Sequence, residues 1–449
     1  MIGDGDGKRP WVYYAKGRGV FNSLHRYSGT VLLAIYLVTP WISLGGSPLF
    51  RMDLAGRRLF VLGQMFTALD TRLLLVFGLM SAIGLGLFTS LAGRIWCGYL
   101  CPQTVFLEEL IRRIEVAIEG DRGARRKLDQ GPWNRTKVWK KGLKWSLFVL
   151  VCVVLAMTLV SYFTAPFALW TLQSAPISYT MVVVFTGLLY FDLAWFREQF
   201  CNYLCPYARV QGVLTDIHSL TIGYDPKRGE PRLGVGGANK QDVLSRGGCV
   251  DCGKCVAVCP QGIDIREGFQ LECIACGHCI DACTSVMSKF EVPSLVQYTT
   301  EARLRDLNET RSRIRPWFYA GIMASLAILG SVFLFGRASY DAHIFRMRGT
   351  DGELREDGRI QNTFDAHIWN NAPEERVFQV AVEGLDGAEV VTPMMEVRIG
   401  AGRDLQFPLF VIAPPLDGAE RQVPFEIIVT SENEKVSLAA TFVIPGGEI

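Results

Sequence analysis

Four stretches of this chain carry no charged side chain and are long enough to cross a bilayer, which limits the possible folds more than any other feature. A spanning helix needs about 20 apolar residues at a rise of 1.5 Å each. The runs hold 24 residues between Arg26 and Arg51, 21 between Arg72 and Arg94, and 21 between Arg315 and Arg337. The fourth, Trp145 to Phe191, holds 47 and is too long for one span. Pro166 and Pro176 lie in its middle, and proline interrupts helices, so two spans are expected there. The predicted spans are therefore 28–45, 73–93, 145–164, 178–196 and 317–336. The first is expected to remain in the protein, because it contains Pro40 and Trp41 and lacks the small-residue cleavage site of a secretory signal.

Charge placement sets an orientation. Segment 94–144 carries twelve Lys and Arg, segment 46–71 three, and the turn 165–177 none. The N-terminal arm adds Lys8, Arg9, Lys16, Arg18 and Arg26. Basic segments stay on the cytoplasmic side. The arm 1–27, segment 94–144 and segment 197–315 are thus expected to be cytoplasmic, and residues 338–449 to lie across the membrane, in the periplasm of a bacterium. The basic cluster Arg122–Lys127 is read as serving orientation and anionic headgroups. Net charge is only +2, so no general attraction to nucleic acid follows.

All thirteen cysteines precede residue 284, and the last 166 residues have none. A secreted disulfide framework would scatter them. Cys249, Cys252, Cys255 and Cys259 form one C-x2-C-x2-C-x3-C run, and Cys273, Cys276, Cys279 and Cys283 another. In two-cluster ferredoxins the fourth cysteine of each run crosses to the other cluster. One [4Fe–4S] cluster would take Cys249, Cys252, Cys255 and Cys283, and the second Cys273, Cys276, Cys279 and Cys259. Zinc is the alternative for any C-x2-C pair, but two complete runs favour clusters. Thr284 stands where proline usually follows the last cysteine. His278, between the ligands, is read as a solvated loop residue, and Cys152, alone in the third span, as an apolar packing residue.

A shorter motif occurs twice. Trp96-Cys97-Gly98-Tyr99-Leu100-Cys101-Pro102 and Phe200-Cys201-Asn202-Tyr203-Leu204-Cys205-Pro206 share C-x-Y-L-C-P. Each follows the cytoplasmic end of an even-numbered span, so the two hairpins 28–93 and 145–196 read as parallel repeats. Cysteines four apart share a helix face, unless the proline places the motif at a helix end. Cys97, Cys101, Cys201 and Cys205 together would offer four soft thiolates, suited to Cu(I) or to iron–sulfur clusters.

The segments WCGYLCPQTVFLEELI, EGDRGARRKLDQGPW, FREQFCNYLCPYARVQ, YDPKRGEPR and CPQGIDIR resemble the cytochrome c oxidase accessory proteins (CcoG, also called FixG or RdxA). The resemblance covers the chain from the second span onward, and the first 70 residues match more loosely. It implies reduction of Cu(II) to Cu(I) for assembly of cbb3-type haem–copper oxidases. It also implies a C-terminal immunoglobulin-like domain, and functional roles for Cys97, Cys101, Cys201, Cys205 and the eight cluster ligands. Copper would be substrate or transient ligand. Partners would be the membrane and oxidase assembly factors or copper carriers.

Beyond the last span, VFQVAV, MEVRI, LQFPLFVI, FEIIVT and LAATFVI read as short strands separated by Gly, Pro, Asp and Asn, an all-β sandwich over 338–449 that would dock an assembly partner. Met394 and Met395 are neighbours on opposite strand faces and read as packing or turn residues. Asp192 is expected to reach the interface near Arg197. The Gly-rich linker 223–247 would let the ferredoxin module, 249–290, rest against the hairpins. The fold class is a five-span membrane protein with a two-cluster ferredoxin module and an immunoglobulin-like end. Its expected function is iron–sulfur electron transfer to copper. Two alternatives stand: a quinol-linked carrier similar to the membrane subunit of periplasmic nitrate reductase, and a copper-binding scaffold without turnover. No flavin or nicotinamide motif names the electron donor.

Overall fold

The structure, a computed structural model, describes residues 11–445 except 55, 57, 67–69, 235–242, 244–247, 308–313, 337–338, 348–351, 373, 395, 401, 416–421 and 433. Lys8, Arg9, Met395 and residues 235–242 and 244–247 of the linker 223–247 lie outside the described residues. The chain divides into two units: residues 1–42, 48–54 and 71–331, and residues 43–47, 55–70 and 332–449.

Four helices among the described residues are long and apolar enough to cross a membrane. Following helix α1 (Val20–Val38), they are α2 (Thr71–Ala92), α3 (Arg135–Ser161), α4 (Pro176–Phe196) and α5 (Ile314–Phe335). Twenty-two residues, as in α2 and α5, give about 33 Å of helix, enough for the hydrocarbon core. The 47-residue apolar run divides at its prolines. Pro166 and Pro176 each take the first position of a new helix, where the missing N–H costs nothing. Asn134 caps α3, its side chain accepting the Lys137 N–H at 2.8 Å.

The fifth expected span, 28–45, is not among these helices. Its helix is α1, which starts eight residues early, carries Asn22, His25 and Arg26, and gives way at Thr39 to a turn containing Pro40. The part beyond residue 28 is only about 16 Å long. α1 nonetheless joins two distant places of the first unit. At its start, the Phe21 and Asn22 N–H groups donate to the Asp281 carboxylate at 3.3 and 2.8 Å. Near its end, Tyr36 donates to Leu155 O and Tyr162 to Tyr36 O, both at 2.8 Å, beside the final turns of α3.

The cysteine-rich segment folds as two related halves. Gly253 and Gly277 each sit between the second and third cysteine of a run, at φ 64° and 80°, backbone that residues with a Cβ rarely adopt. Each is followed by a helix, Lys254–Ala257 or His278–Met287. A ribbon pairing Thr221–Tyr224 with Val296–Thr299 closes the module, over a core that includes Ile222, Ile265, Ile280 and Leu295.

The second unit holds a β-sandwich. Its strands are β1 (Tyr340–Arg346), β2 (Ile360–Asn370), β3 (Arg376–Glu383), β4 (Glu389–Val391), β5 (Val397–Ile399), β6 (Asp404–Ala413), β7 (Gln422–Ser431) and β8 (Glu434–Val443). One sheet runs β4-β6-β2-β1, with the two-residue strand Glu353–Leu354 pairing the start of β2, and the other runs β5-β3-β7-β8. Along β2 every second residue is buried, the alternation of a strand with one face on a core. Phe364, Phe378, Leu409, Ile427 and Phe442 fill that core, each contributing roughly 1.5–3 kcal/mol by leaving water. Buried Asn362 ties the sheets together: its amide donates to Val443 O at 2.9 Å and accepts the Val443 N–H at 3.1 Å. Met394 is exposed.

Candidate redox site

Each C-x-Y-L-C-P motif is a break between helices. Cys97 lies in the short helix Ile95–Tyr99, whereas Cys101 is extended at φ −68°, ψ 127° and leads into Pro102–Val105. Cys205 has nearly the same conformation, φ −67°, ψ 113°, ahead of Pro206–Leu214. Proline at the first helical position pushes the preceding residue out of the helix. The two cysteines of a motif therefore do not share one helix face. The two motifs meet each other. Arg94 donates to Ala208 O at 2.9 Å, the Thr89 and Tyr207 hydroxyls lie 2.6 Å apart, and Cys97 Sγ is 4.0 Å from Gln211 Oε1. Burial pushes the Cys97 thiol up to about 12, with Cys101 and Cys205 adding to the rise. Cys201 is raised by burial and then by Cys101 and Cys97. The four thiols thus occupy one half-buried environment. Among the described residues, no three His, Cys, Asp or Glu side chains converge closely enough to hold a single metal ion.

The eight ferredoxin cysteines line two cavities. Cys249, Cys252, Cys255 and Cys283 border one, and Cys259, Cys273, Cys276 and Cys279, with Cys255 at the margin, border the other. The cavity walls therefore reproduce the crossed pairing, and the donors are all thiols, which suit iron–sulfur clusters. These residues fit two [4Fe–4S] clusters. Thr284 removes no ligand, since Cys283 sits within the helix His278–Met287.

His278 is not solvated. It is 2% exposed, opens that helix, and contacts the Tyr14 hydroxyl and the Asn22 amide at 3.4 Å each. Burial, with His25 and Arg112 nearby, lowers it to about 3, so it is neutral at physiological pH. Cys152 is fully buried in an apolar cluster with Leu107 and Phe148, as a packing residue would be. Asp192 accepts from the Gln103 side chain at 3.1 Å, which ties α4 to the segment after the first motif.

The first motif abuts the second cluster cavity. A Cβ on Gly98 would lie 2.6 Å from Ile274 O and 3.1 Å from Cys276 Cα, so only glycine allows this approach. Tyr99 donates to Cys276 O at 2.9 Å. From another side Arg112 donates to Pro260 O at 2.7 Å, while it pairs with Glu108 and lies 3.7 Å from Glu198. Arg112 belongs to a buried charge network absent from the sequence reading. Glu115 takes Arg197 at 3.0 Å and Arg125 at 3.1 Å, and Glu119 takes Lys141 and Lys144 at 2.8 Å each. Burial alone would raise the Glu115 carboxyl, yet Arg197, Lys144 and Arg125 hold it below its ordinary value. Of the cluster Arg122–Lys127, Arg125 is thus a buried ion-pair partner and not a charge facing headgroups, and Arg112, Lys141 and Lys144 are structural ion-pair partners as well. The spacing of Glu108 to Arg112 and Glu109 to Arg113, four residues each, was the available signal. A cavity of about 350 Å³ lies beside this network, lined in part by Tyr14, His25, Glu108, Glu109, Arg112 and His278.

Comparison with known proteins covers nearly the whole chain. A 4Fe–4S dicluster domain matches residues 196–301, a 4Fe–4S binding domain residues 74–118, and an IG-like fold at the C-terminus of FixG residues 331–445. The nitrogen fixation protein FixG of Rhizobium meliloti is 33% identical across 98% of this chain and 94% of its own length. Protein RdxA of Cereibacter sphaeroides is 36% identical across 82% of this chain and 81% of its own, and protein RdxB of the same organism 37% across 84% and 82%.

Proposed function

Because the chain belongs to the FixG, RdxA and RdxB family of iron–sulfur membrane proteins, we propose that it is an oxidoreductase that reduces Cu(II) to Cu(I) for assembly of a cbb3-type cytochrome c oxidase. It sits in the bacterial inner membrane, with its ferredoxin module in the cytoplasm and its β-sandwich in the periplasm, and α1, which runs from Asp281 to the final turns of α3, carries the N-terminal arm to the ferredoxin side. When bound, the two clusters supply single electrons, which is the stoichiometry Cu(II) requires. The observation that carries this reading is the contact of the Gly98 backbone and the Tyr99 hydroxyl with the Cys276 loop. It puts the first C-x-Y-L-C-P motif directly against a cluster pocket, so little protein separates donor from acceptor. Cys97, Cys101, Cys201 and Cys205 receive the copper. Soft sulfur ligands favour Cu(I) over Cu(II), so they pull the equilibrium toward the product. Arg112 and Tyr99 hold the two cluster-bearing loops in place against the motif. Copper carriers or assembly factors take the product, and the sandwich docks an assembly partner on the other side of the membrane.

A second reading draws on the cavity beside His278. A membrane quinol bound there would lie next to the same pocket, with His25 and Glu109 as proton acceptors, and the protein would then be a quinol-linked carrier. One experiment separates the two. Anaerobic protein with reduced clusters is titrated with Cu(II), and cluster absorbance is followed together with Cu(I) trapped by a chelator. One Cu(I) per electron lost from the clusters is expected, with the yield abolished by serine at all four motif cysteines. Copper that leaves the clusters reduced, while a short-chain quinol reduces oxidised clusters, would replace copper reduction with the quinol reading.

A further inference from the structure

Two of the chain's five histidines face one another on the β-sandwich, far in sequence from every cysteine. His343 on β1 and His367 on β2 are directly opposite in the antiparallel register. Their strand neighbours Ala342, Ala366 and Ile368 are buried in the core, so both imidazoles stand on the outer face of the sheet. Residues directly opposite have Cβ atoms about 4.5–5.5 Å apart, a spacing from which two imidazoles reach one ion.

The rings are also held. Trp369 packs against His367 with centroids 3.4 Å apart and against His343 at 5.8 Å. Phe345 stacks on His343 at 6.2 Å. From β6 the Asp404 carboxylate lies 3.0 Å from His367 Nε2, and Arg58 pairs with that carboxylate. A carboxylate on one ring nitrogen fixes the ring and leaves the other nitrogen as ligand, the arrangement that supports metal-bound histidines. Aromatic packing alone explains the stacking. It does not explain a cross-strand histidine pair with an orienting carboxylate.

We infer that His343 and His367 form a surface site for a divalent transition-metal ion, with Cu(II) the tightest binder among the first-row ions. Imidazole suits zinc, copper and nickel, and Cu(II) heads the affinity order. Water completes the coordination. The site makes no use of the motif cysteines, and it stands or fails apart from copper reduction.

The test uses the full-length protein in detergent, anaerobic, with the clusters held oxidised and diamagnetic, and Cu(II) itself as the probe. Electron paramagnetic resonance is expected to show one Cu(II) with coupling to two nitrogens. His343→Gln and His367→Gln should each remove one nitrogen coupling and weaken binding at least tenfold, and together should abolish the nitrogen-coupled signal. Asp404→Asn should weaken binding about tenfold while keeping both couplings. Cluster iron, held in the other unit, reports that each variant is intact. Should the double variant not fold, the two single variants carry the test. Nitrogen coupling unchanged in the variants, or absent from the intact protein, overturns the site. Serine at Cys97, Cys101, Cys201 and Cys205 should leave the signal in place, which separates this site from the reductase reading.

Discussion

The two C-x-Y-L-C-P motifs share a sequence and differ in what they touch. In the first, Gly98 and Tyr99 lie against the Ile274–Cys276 backbone, and Tyr99 is buried. In the second, Asn202 and Tyr203 are only half-buried, and among the described residues the Tyr203 hydroxyl makes no hydrogen bond. Three residues before the first cysteine the charge reverses: Arg94 reaches across to Ala208 in the helix after the other motif, whereas Glu198 lies beside Arg112 under the Cys259 loop. The local helices differ as well, an α-turn at Ile95–Tyr99 against a wider π-turn at Phe200–Leu204. A duplicated motif has thus kept its four cysteines while its other positions divided the labour. One copy docks the ferredoxin module, and the other completes the sulfur group.

The hardest blow to this asymmetry is Gly98→Asn, which makes the first copy read like the second. Its Cβ would meet the Ile274 carbonyl at 2.6 Å, and backbone cannot rotate away as a side chain can. The loop bearing Cys273 and Cys276 should be displaced, so roughly half the cluster iron is expected to be lost, the other cluster's cysteines lying outside it. Asn202→Gly, the reverse exchange, should leave iron per chain unchanged. Equal loss in both variants would mean the copies are equivalent. A smaller effect is expected from Glu198→Gln. It removes the charge that lies 3.7 Å from buried Arg112, and iron should be released at a lower temperature than in the parent. Arg94→Gln instead loses the bond to Ala208. It should keep its iron but expose Cys97 and Cys201 to faster alkylation.

Much of this was visible in the residues, for identifiable reasons. Apolar runs bounded by charged residues declare α2, α3, α4 and α5, because a charge inside the bilayer is expensive. Strand alternation with Gly and Pro punctuation declares the sandwich. The exception, α1, follows from a limit of run length. Absence of charge from 27 to 50 says nothing about where Pro40 stops the helix or how polar its first half is. The twelve paired cysteines were legible because x2 and x3 spacings are local. What surrounds them was not, since burial of His278 and the role of Gly98 depend on partners 176 and more residues away, such as Ile274. The headgroup role expected of Arg125, and the unforeseen ion pairs of Lys141 and Lys144, have the same cause. Sequence shows their sign, while Glu115 and Glu119 become their partners only when the amphipathic segment folds against α3.

The finest division between the copies is a single hydroxyl. Tyr99 donates to Cys276 O at 2.9 Å, and Tyr99→Phe removes that bond while keeping the ring against His25, whose centroid is 5.7 Å away. The lost hydrogen bond is worth about 0.5–1.5 kcal/mol, and the Cys276 carbonyl is left without this donor. A carbonyl dipole beside a cluster ligand also contributes to the potential at which that cluster takes an electron. Tyr99→Phe should therefore move the midpoint of one cluster in a spectroelectrochemical titration and leave the other in place, with iron content unchanged. Tyr203→Phe should move neither. If both substitutions shift the same midpoint equally, the second copy contacts the cluster loop as closely as the first, and the division of labour between them is lost.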